Sequence, residues 1–143
     1  MKRYRKIRMA LSLATLLLIT SCQMTEEEKV REISQNFADL YYNLNIRKAK
    51  HYCSSEIHTI MDFRHTNIKE KDRTLQQQAG KATAQILNCD LDIENETAYV
   101  KMAISNFLRI NYVNDSLSII PCDTIELVLT KEIDNVWRIK HPV

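Results

Sequence analysis

The sequence predicts an α+β domain in which N-terminal helices pack on a curved four-stranded antiparallel meander. Two observations carry that prediction. Apolar residues recur at helical spacing from Val30 onward, and from Thr83 the period drops from about 3.6 to 2. The period-two runs are separated by short polar turns at Glu94-Asn95, Asn114-Asp115 and Asp134-Asn135, the pattern of an antiparallel sheet with one wet face.

Ahead of the domain stands a targeting segment. Lys2, Arg3, Arg5, Lys6 and Arg8 precede an apolar run of eleven residues, Met9 to Ile19. About 20 apolar residues are needed to span a bilayer, so this run is short for a membrane helix. A positive flank, a short apolar core and small residues before a cut site describe a secretory signal. Ile19-Thr20-Ser21-Cys22 resembles the bacterial lipoprotein box, and the resemblance implies a diacylglycerol on the Cys22 thiol and cleavage just before it. Residues 1–21 then form a lipoprotein signal peptide, 22–28 a lipidated polar leash and 29–143 a single α+β domain.

Removing the signal changes the electrostatics. The chain carries 20 Lys+Arg against 18 Asp+Glu, and five of the bases but none of the acids lie in the signal. What remains is 15 bases against 18 acids, a formal −3. The basicity belongs to targeting, and no basic stripe is left to neutralise phosphates, which argues against nucleic acid as a partner. The 122 residues after the cut suit one domain with one core.

Within the leash, Glu26-Glu27-Glu28 reads as the first turn of a helix with Thr25 as its cap, since acids are favoured at that end of the dipole. The same run resembles the surface-export signals of some Bacteroidetes-type lipoproteins. Val30, Ile33, Phe37, Leu40, Tyr41 and Leu44 make one apolar stripe on a helix of about five turns. A second short helix carries Ala49, Tyr52 and Cys53. A third follows Ser54-Ser55-Glu56, with Ser54 or Ser55 as cap and Ile57, Ile60, Met61 and Phe63 inward. Lys69 to about Lys81 reads as a fourth, marked by Leu75, Ala79 and Ala82 and stopped at Gly80.

Alternation places Gln85, Leu87, Cys89 and Leu91 inward on the first strand and Ala98, Val100, Met102 and Ile104 on the second. Ile125, Leu127 and Leu129 follow on the third, Trp137 and Ile139 on the fourth. A two-residue turn at Glu94-Asn95 sets Leu87 opposite Met102 and Cys89 opposite Val100. A two-residue turn at Asn114-Asp115 sets Val100 opposite Leu129, Met102 opposite Leu127 and Ile104 opposite Ile125. The last loop is expected to have three residues, Ile133-Asp134-Asn135, with Asn135 left-handed, because that length pairs Leu129 with Ile139. Pro121 cannot donate to a ladder, so a bulge or bend is expected there. The hairpin arm from Phe107 to Ile120 extends beyond the helix-covered core and either curls over the helices or meets a partner.

Helices followed by a curved meander ending in a Trp-containing strand resemble the nuclear-transport-factor-2-like (cystatin-like) cone. More narrowly, the chain resembles small Bacteroidetes-type lipoproteins of unknown function with that fold. The residues that carry the likeness are Lys48-Ala49-Lys50-His51-Tyr52-Cys53, Asn95-Glu96-Thr97-Ala98-Tyr99-Val100 and Ile125-Glu126-Leu127-Val128-Leu129 with Val136-Trp137-Arg138-Ile139. The resemblance brings no activity with it, and a fold by itself licenses none.

Some enzymes of related fold are isomerases or dehydratases whose cone holds an acidic or basic side chain. Such chemistry needs an ionisable group facing inward, and none of the inward positions above is Asp, Glu, His or Lys. A one-residue slip in the first strand would turn Asp90 and Asp92 inward instead. His51, His58 and His65 lie seven apart, about 10.5 Å on a continuous helix, too far to share a metal. His58, Asp62 and His65 share one helical face and offer three ligands, but no glutamate base or fourth ligand accompanies them. They read as solvated surface residues, as does His141. Cys89 and Cys122 are poor disulfide partners, about 23 Å apart along the strand. Cys53 with Cys89 is open if the second helix crosses that strand, and two buried thiols is the plain reading.

The expected protein is a lipid-anchored, non-catalytic binding or accessory domain of the cell envelope. It is held to the outer membrane by Cys22, needs no cofactor or metal, and meets a protein or small ligand at its mouth or arm. The alternative is a small-ligand carrier or an isomerase-like enzyme that uses the cone.

Overall fold

The first helix, α1 (Glu26–Tyr41), starts where its capping chemistry says it should. Thr25 accepts from the Glu28 amide at 3.2 Å while the Glu28 carboxylate accepts from the Thr25 amide at 2.7 Å, a reciprocal capping box. Glu26, Glu27 and Glu28 are therefore the acidic first turn of a helix. The computed structural model describes residues 24–142, and the signal segment and Cys22 lie outside the described residues. None of the described helices is long and apolar enough to cross a membrane.

Val30, Phe37 and Tyr41 are buried on the expected stripe, with Ser34 and Ala38 beside them. The short α2 (Ile46–Ala49) buries Ile46 and Ala49, and a 3-10 turn (Lys50–Tyr52) leads to the buried Cys53. A second 3-10 turn (Ser55–Ile57) runs into α3 (His58–Asn67), without a side-chain cap from either serine. Ile57 and Met61 point inward, but Ile60 and Phe63 are more than half exposed, contrary to the sequence reading. Helix α4 (Glu70–Ala79) ends at Gly80, whose φ of 98° needs a residue without a side chain. Its inward residues are Asp72 and Gln76, where Leu75 and Ala79 were expected. Asp72 accepts from the Lys69 amide at 2.7 Å and so caps its own helix, while Gln76 meets the backbone of a strand, whose donors and acceptors need polar partners.

The sheet is an open antiparallel meander, β1-β2-β3-β4, formed by Thr83–Asp92, Thr97–Asn111, Ser116–Lys131 and Trp137–Pro142. The coarse prediction, α+β with helices before a four-stranded meander, is what the chain adopts. Ala98, Val100, Met102, Ile104, Leu127, Leu129, Trp137 and Ile139 are all buried on one face. Helix α1 lies on that face, tied by Gln35 to the Ala84 carbonyl at 3.0 Å and by Asn43 to both the amide and carbonyl of Ala82. The core runs between this face, α1 and the short helices.

Register departs from expectation in two places. Cys89 pairs with Val100 and Leu91 with Ala98, as predicted, but Ile86 and not Leu87 lies opposite Met102. The adjacent apolar residues Ile86 and Leu87 cannot both face inward, so the strand bulges between Ile86 and Asn88 and Leu87 is half exposed. Gln85 is likewise exposed, with Ala84 and Ile86 taking the inward positions. The loop between β2 and β3 has four residues rather than two, and Asn111 pairs with Ser116. Every β2–β3 pair consequently shifts by two: Val100 meets Leu127, Met102 meets Ile125 and Ile104 meets Asp123. Because the shift is even, the same face stays buried. The last turn behaves as expected, with Leu129 opposite Ile139 and Asn135 at φ 63°.

A bend occurs where Pro121 forbids a ladder bond. Ser105 pairs with Cys122 and Phe107 with Ile120, but Asn106 and Pro121 do not pair, and Asn106 takes φ 58°. Beyond the bend both Phe107 and Leu108 are buried, and the arm curls over the helices rather than projecting freely. β1 ends opposite Ser105, so β2 would present a bare edge from there on. Gln76 of α4 covers it: its Oε1 accepts from the Leu108 amide at 2.8 Å and its Nε2 donates to the Asn106 carbonyl at 3.0 Å and the Gly80 carbonyl at 2.8 Å. Asn106 in turn donates to the Ala79 carbonyl at 2.7 Å.

Candidate functional site

The curled arm closes a pocket of about 270 Å³ over the C-terminal end of α1. Tyr41 and Tyr42 stand in the last turn of that helix, ring centroids 5.1 Å apart and edge to face, and Phe107 of the arm meets Tyr42 in the same way at 5.0 Å. The helix ends by the two bonds of a Schellman motif, Leu44 N–H to the Tyr41 carbonyl at 3.1 Å and Asn45 N–H to the Leu40 carbonyl at 2.9 Å. The left-handed position of that motif normally takes glycine. Here it is Leu44, at φ 62°, and its side chain is buried against the pocket. A left-handed residue with a side chain costs roughly 1–2 kcal/mol, and strain of this kind concentrates at functional sites.

The polar groups of the pocket differ in how they are satisfied. Arg109 bonds Asp123 at 2.5 Å and lies over Phe107, its guanidinium carbon 5.7 Å from the ring centre. Asp123 stands opposite the buried Ile104, beside the pocket, and the Arg109 guanidinium holds its carboxyl below the ordinary range. Arg64 of α3 has no carboxylate or carbonyl partner among the described residues; it lies 5.2 Å above the centre of the Tyr41 ring. Burial pulls its pKa down from the usual arginine value. The Tyr41 hydroxyl is buried and has no hydrogen-bond partner among the described residues. Burial pushes Tyr42 up to about 12, with Asp123 adding to the shift and Arg109 opposing it, and burial also raises Tyr112. The tyrosines therefore stay neutral hydroxyl donors at physiological pH. Ile46, Ile68, Leu108, Ile110 and Ile125 complete an otherwise apolar lining.

A second pocket of about 290 Å³ lies on the other side of Leu44, between the α1–α2 loop and α4. Arg73, Gln77 and Lys81 are among its lining residues.

The side chains singled out in the sequence are not brought together. His58 Nε2 is 3.2 Å from the Cys53 carbonyl, Asp62 bonds Lys50 at 2.7 Å, and the His65 Nδ1 is buried without a partner. His58 and His65 are thus half-buried rather than solvated, while His51 and His141 are exposed. Among the described residues no group of three His, Cys, Asp or Glu side chains could hold a metal ion. Cys53 is buried, Cys89 half-buried and Cys122 exposed, and all three are free thiols. Burial pushes the Cys53 thiol up to about 12, which leaves it unreactive. Asp90 is exposed, and Asp92 turns its carboxylate to Asn95, accepting from the backbone at 3.1 Å and the side-chain amide at 2.6 Å. Neither aspartate lines the pockets, whereas Cys89 and Leu91 pack against the core as half-buried residues.

Sequence reasoning missed Arg64, Arg109 and Asp123. The even register shift moved Asp123 opposite Ile104, and an even shift leaves no trace in the apolar pattern. The available signal was the pair of asparagines, Asn111 and Asn114, whose side chains each accept from the amide two residues on and so build a longer loop. No family model matches the chain, and no curated protein matches it.

Proposed function

We propose that the chain is a lipid-anchored envelope domain of the nuclear-transport-factor-2-like cone type that binds a small ligand in the pocket over α1 without transforming it. The signal segment and Cys22 supply the address: bacterial cell envelope, with acyl chains in the outer membrane. The observation that carries the binding role is the pocket itself, covered by the curled arm and lined by the buried Tyr41 hydroxyl and the half-buried Arg64 guanidinium, neither of which has a hydrogen-bond partner among the described residues. Buried polar groups are ordinarily paired, and a concave, largely apolar site with a few convergent polar groups is the usual form of a ligand pocket. The lining supports binding rather than acid–base work, since none of its residues is Asp, Glu, His or Cys. Asp123, just outside it, is held ionised by Arg109 and makes a weak base near neutral pH.

The anchor is tested by mass. The first peptide of the wild-type protein should begin at Cys22 and carry acyl groups, and Cys22→Ala should accumulate as precursor or leave the membrane fraction, since several acyl chains hold a protein firmly. An unacylated wild-type peptide would remove the anchor. The pocket is tested by a fragment screen with neutral and charged probes, repeated on Leu108→Trp, which fills the space. Hits that persist in the filled variant, or no hits at all, would end the binding reading.

A further inference from the structure

We infer that the pocket over α1 recognises a small monocarboxylate: one carboxylate head on a short apolar or aromatic body. This rests on the binding role proposed above and assigns its ligand class. Charge balance comes first. Two guanidinium groups line the pocket, but Arg109 is already neutralised by Asp123 at 2.5 Å, which leaves Arg64 as the one charge of the lining without an ion-pair partner among the described residues. A half-buried guanidinium without an acceptor is costly to keep, and a carboxylate accepts from it in a fork of two parallel bonds. The Tyr41 hydroxyl supplies the next donor. It is buried and unpartnered in a residue that is 8% exposed, and the Arg64 guanidinium stands over the same ring. One cation and one neutral hydroxyl match a single negative charge. A phosphate or a dicarboxylate would bring a second charge that nothing in the lining balances.

The remaining surface sets the body of the ligand. Phe107, Ile110 and Ile125 offer a ring face and branched aliphatic groups, and the Tyr42 and Tyr112 rings add aromatic surface with neutral hydroxyls. At about 270 Å³ the space lies just below the common range for ligand pockets of about 300–1,000 Å³. A single aromatic ring or a chain of a few carbons fits, and a sugar, with hydroxyls on every side, would leave its polar groups unpaired.

The test uses the acylated full-length protein in phosphatidylcholine nanodiscs, with phenylacetate and hexanoate as probes and phenylacetamide and hexanamide as their uncharged counterparts. The acids should bind at least tenfold tighter than the amides. Arg64→Gln should erase that difference, bringing the acids down to the affinity of the amides. Arg64→Lys should retain part of it, because a point charge replaces the fork. Tyr41→Phe should weaken the acids about three- to tenfold and leave the unliganded protein as stable as before, since its hydroxyl bonds nothing there. Amides binding as tightly as acids, or acids binding Arg64→Gln undiminished, would overturn the carboxylate assignment and leave the pocket as a binding site. Failure of all four probes up to millimolar concentration would overturn both. Should Arg64→Gln not fold, the acid–amide comparison in wild type and Arg64→Lys decides.

Discussion

Replacing Gln76 by leucine removes the device that seals the bare edge of β2. Gln76 is 5% exposed and makes three hydrogen bonds: from the Leu108 amide at 2.8 Å, and to the Asn106 and Gly80 carbonyls at 3.0 and 2.8 Å. Leucine fits the volume but pairs with none of them. A buried amide left without an acceptor costs about 1–3 kcal/mol, and the two carbonyls add less because each has a second lone pair and reaches water more easily. Leucine recovers some of this through apolar burial. The net is about 2–4 kcal/mol, a large share of the roughly 5–15 kcal/mol that a domain of this size has. The melting temperature should fall by about 10 °C. Urea melts measure the loss, and amide exchange at Leu108 should quicken more than exchange at Val100, which sits in the intact ladder. Gln77→Leu, one position along and exposed, should stay within about 0.5 kcal/mol. A loss below about 1 kcal/mol with Leu108 exchange unchanged would show that the arm is held by its apolar contacts alone.

Two further changes probe the opposite end of the molecule. Trp137→Ala should cost about 3–5 kcal/mol, as large aromatic truncations in cores do, because Trp137 is 4% exposed and its indole N–H bonds Glu26 at 2.8 Å; a denaturant melt close to wild type would refute it. Glu26 is held down to about 2 from an ordinary 4.5 by Lys131 first, then Lys29 and Trp137. Its folded pKa is depressed, so its contribution is complete above about pH 4.5 and is lost as pH falls toward 2. Glu26→Gln should therefore flatten the pH dependence of stability in that acid window and leave it unchanged from pH 6 to 8; an identical acid slope would show that Lys131 and Lys29 do not act through Glu26.

How far the sequence was legible follows from what each signal encodes. The helix start at Glu26 was readable because Thr25 and Glu28 satisfy each other locally. The three-residue loop ending at Asn135 was readable because only one length paired Leu129 with Ile139. The Asn111–Ser116 loop was misread because two registers differing by two residues bury the same face, so apolar matching cannot separate them. The bulge at Leu87 was hidden by treating Ile86-Leu87 as ordinary alternation. Ile60 and Phe63 were placed inward from a short amphipathic pattern, but α3 is covered on one side only; Phe63 instead meets Tyr112 of the arm at 5.5 Å. The pocket was out of reach for a different reason. Arg64, Tyr41 and Arg109 come from three separate elements, and Arg109 joins the other two beyond the bend at Asn106.

The knot at Glu26 has a consequence for how the molecule stands. Lys131 bonds Glu26 at 2.8 Å and the Lys131 amide bonds the Glu96 carbonyl at 2.9 Å, so the start of α1 and the β1–β2 and β3–β4 turns share one end of the domain. If Cys22 carries the acyl chains, as proposed, the four residue steps from Cys22 to Glu26 reach at most about 14 Å. That end is then held close to the bilayer, with Glu94 and Glu96 in one turn and Glu132 and Asp134, both paired to Arg138, in the other. Helix α1 then separates the anchored end from the pocket by about 22 Å, its length from Glu26 to Tyr41. The pocket lined by Tyr41 and Tyr42 lies at the other end of that helix, away from the proposed anchor.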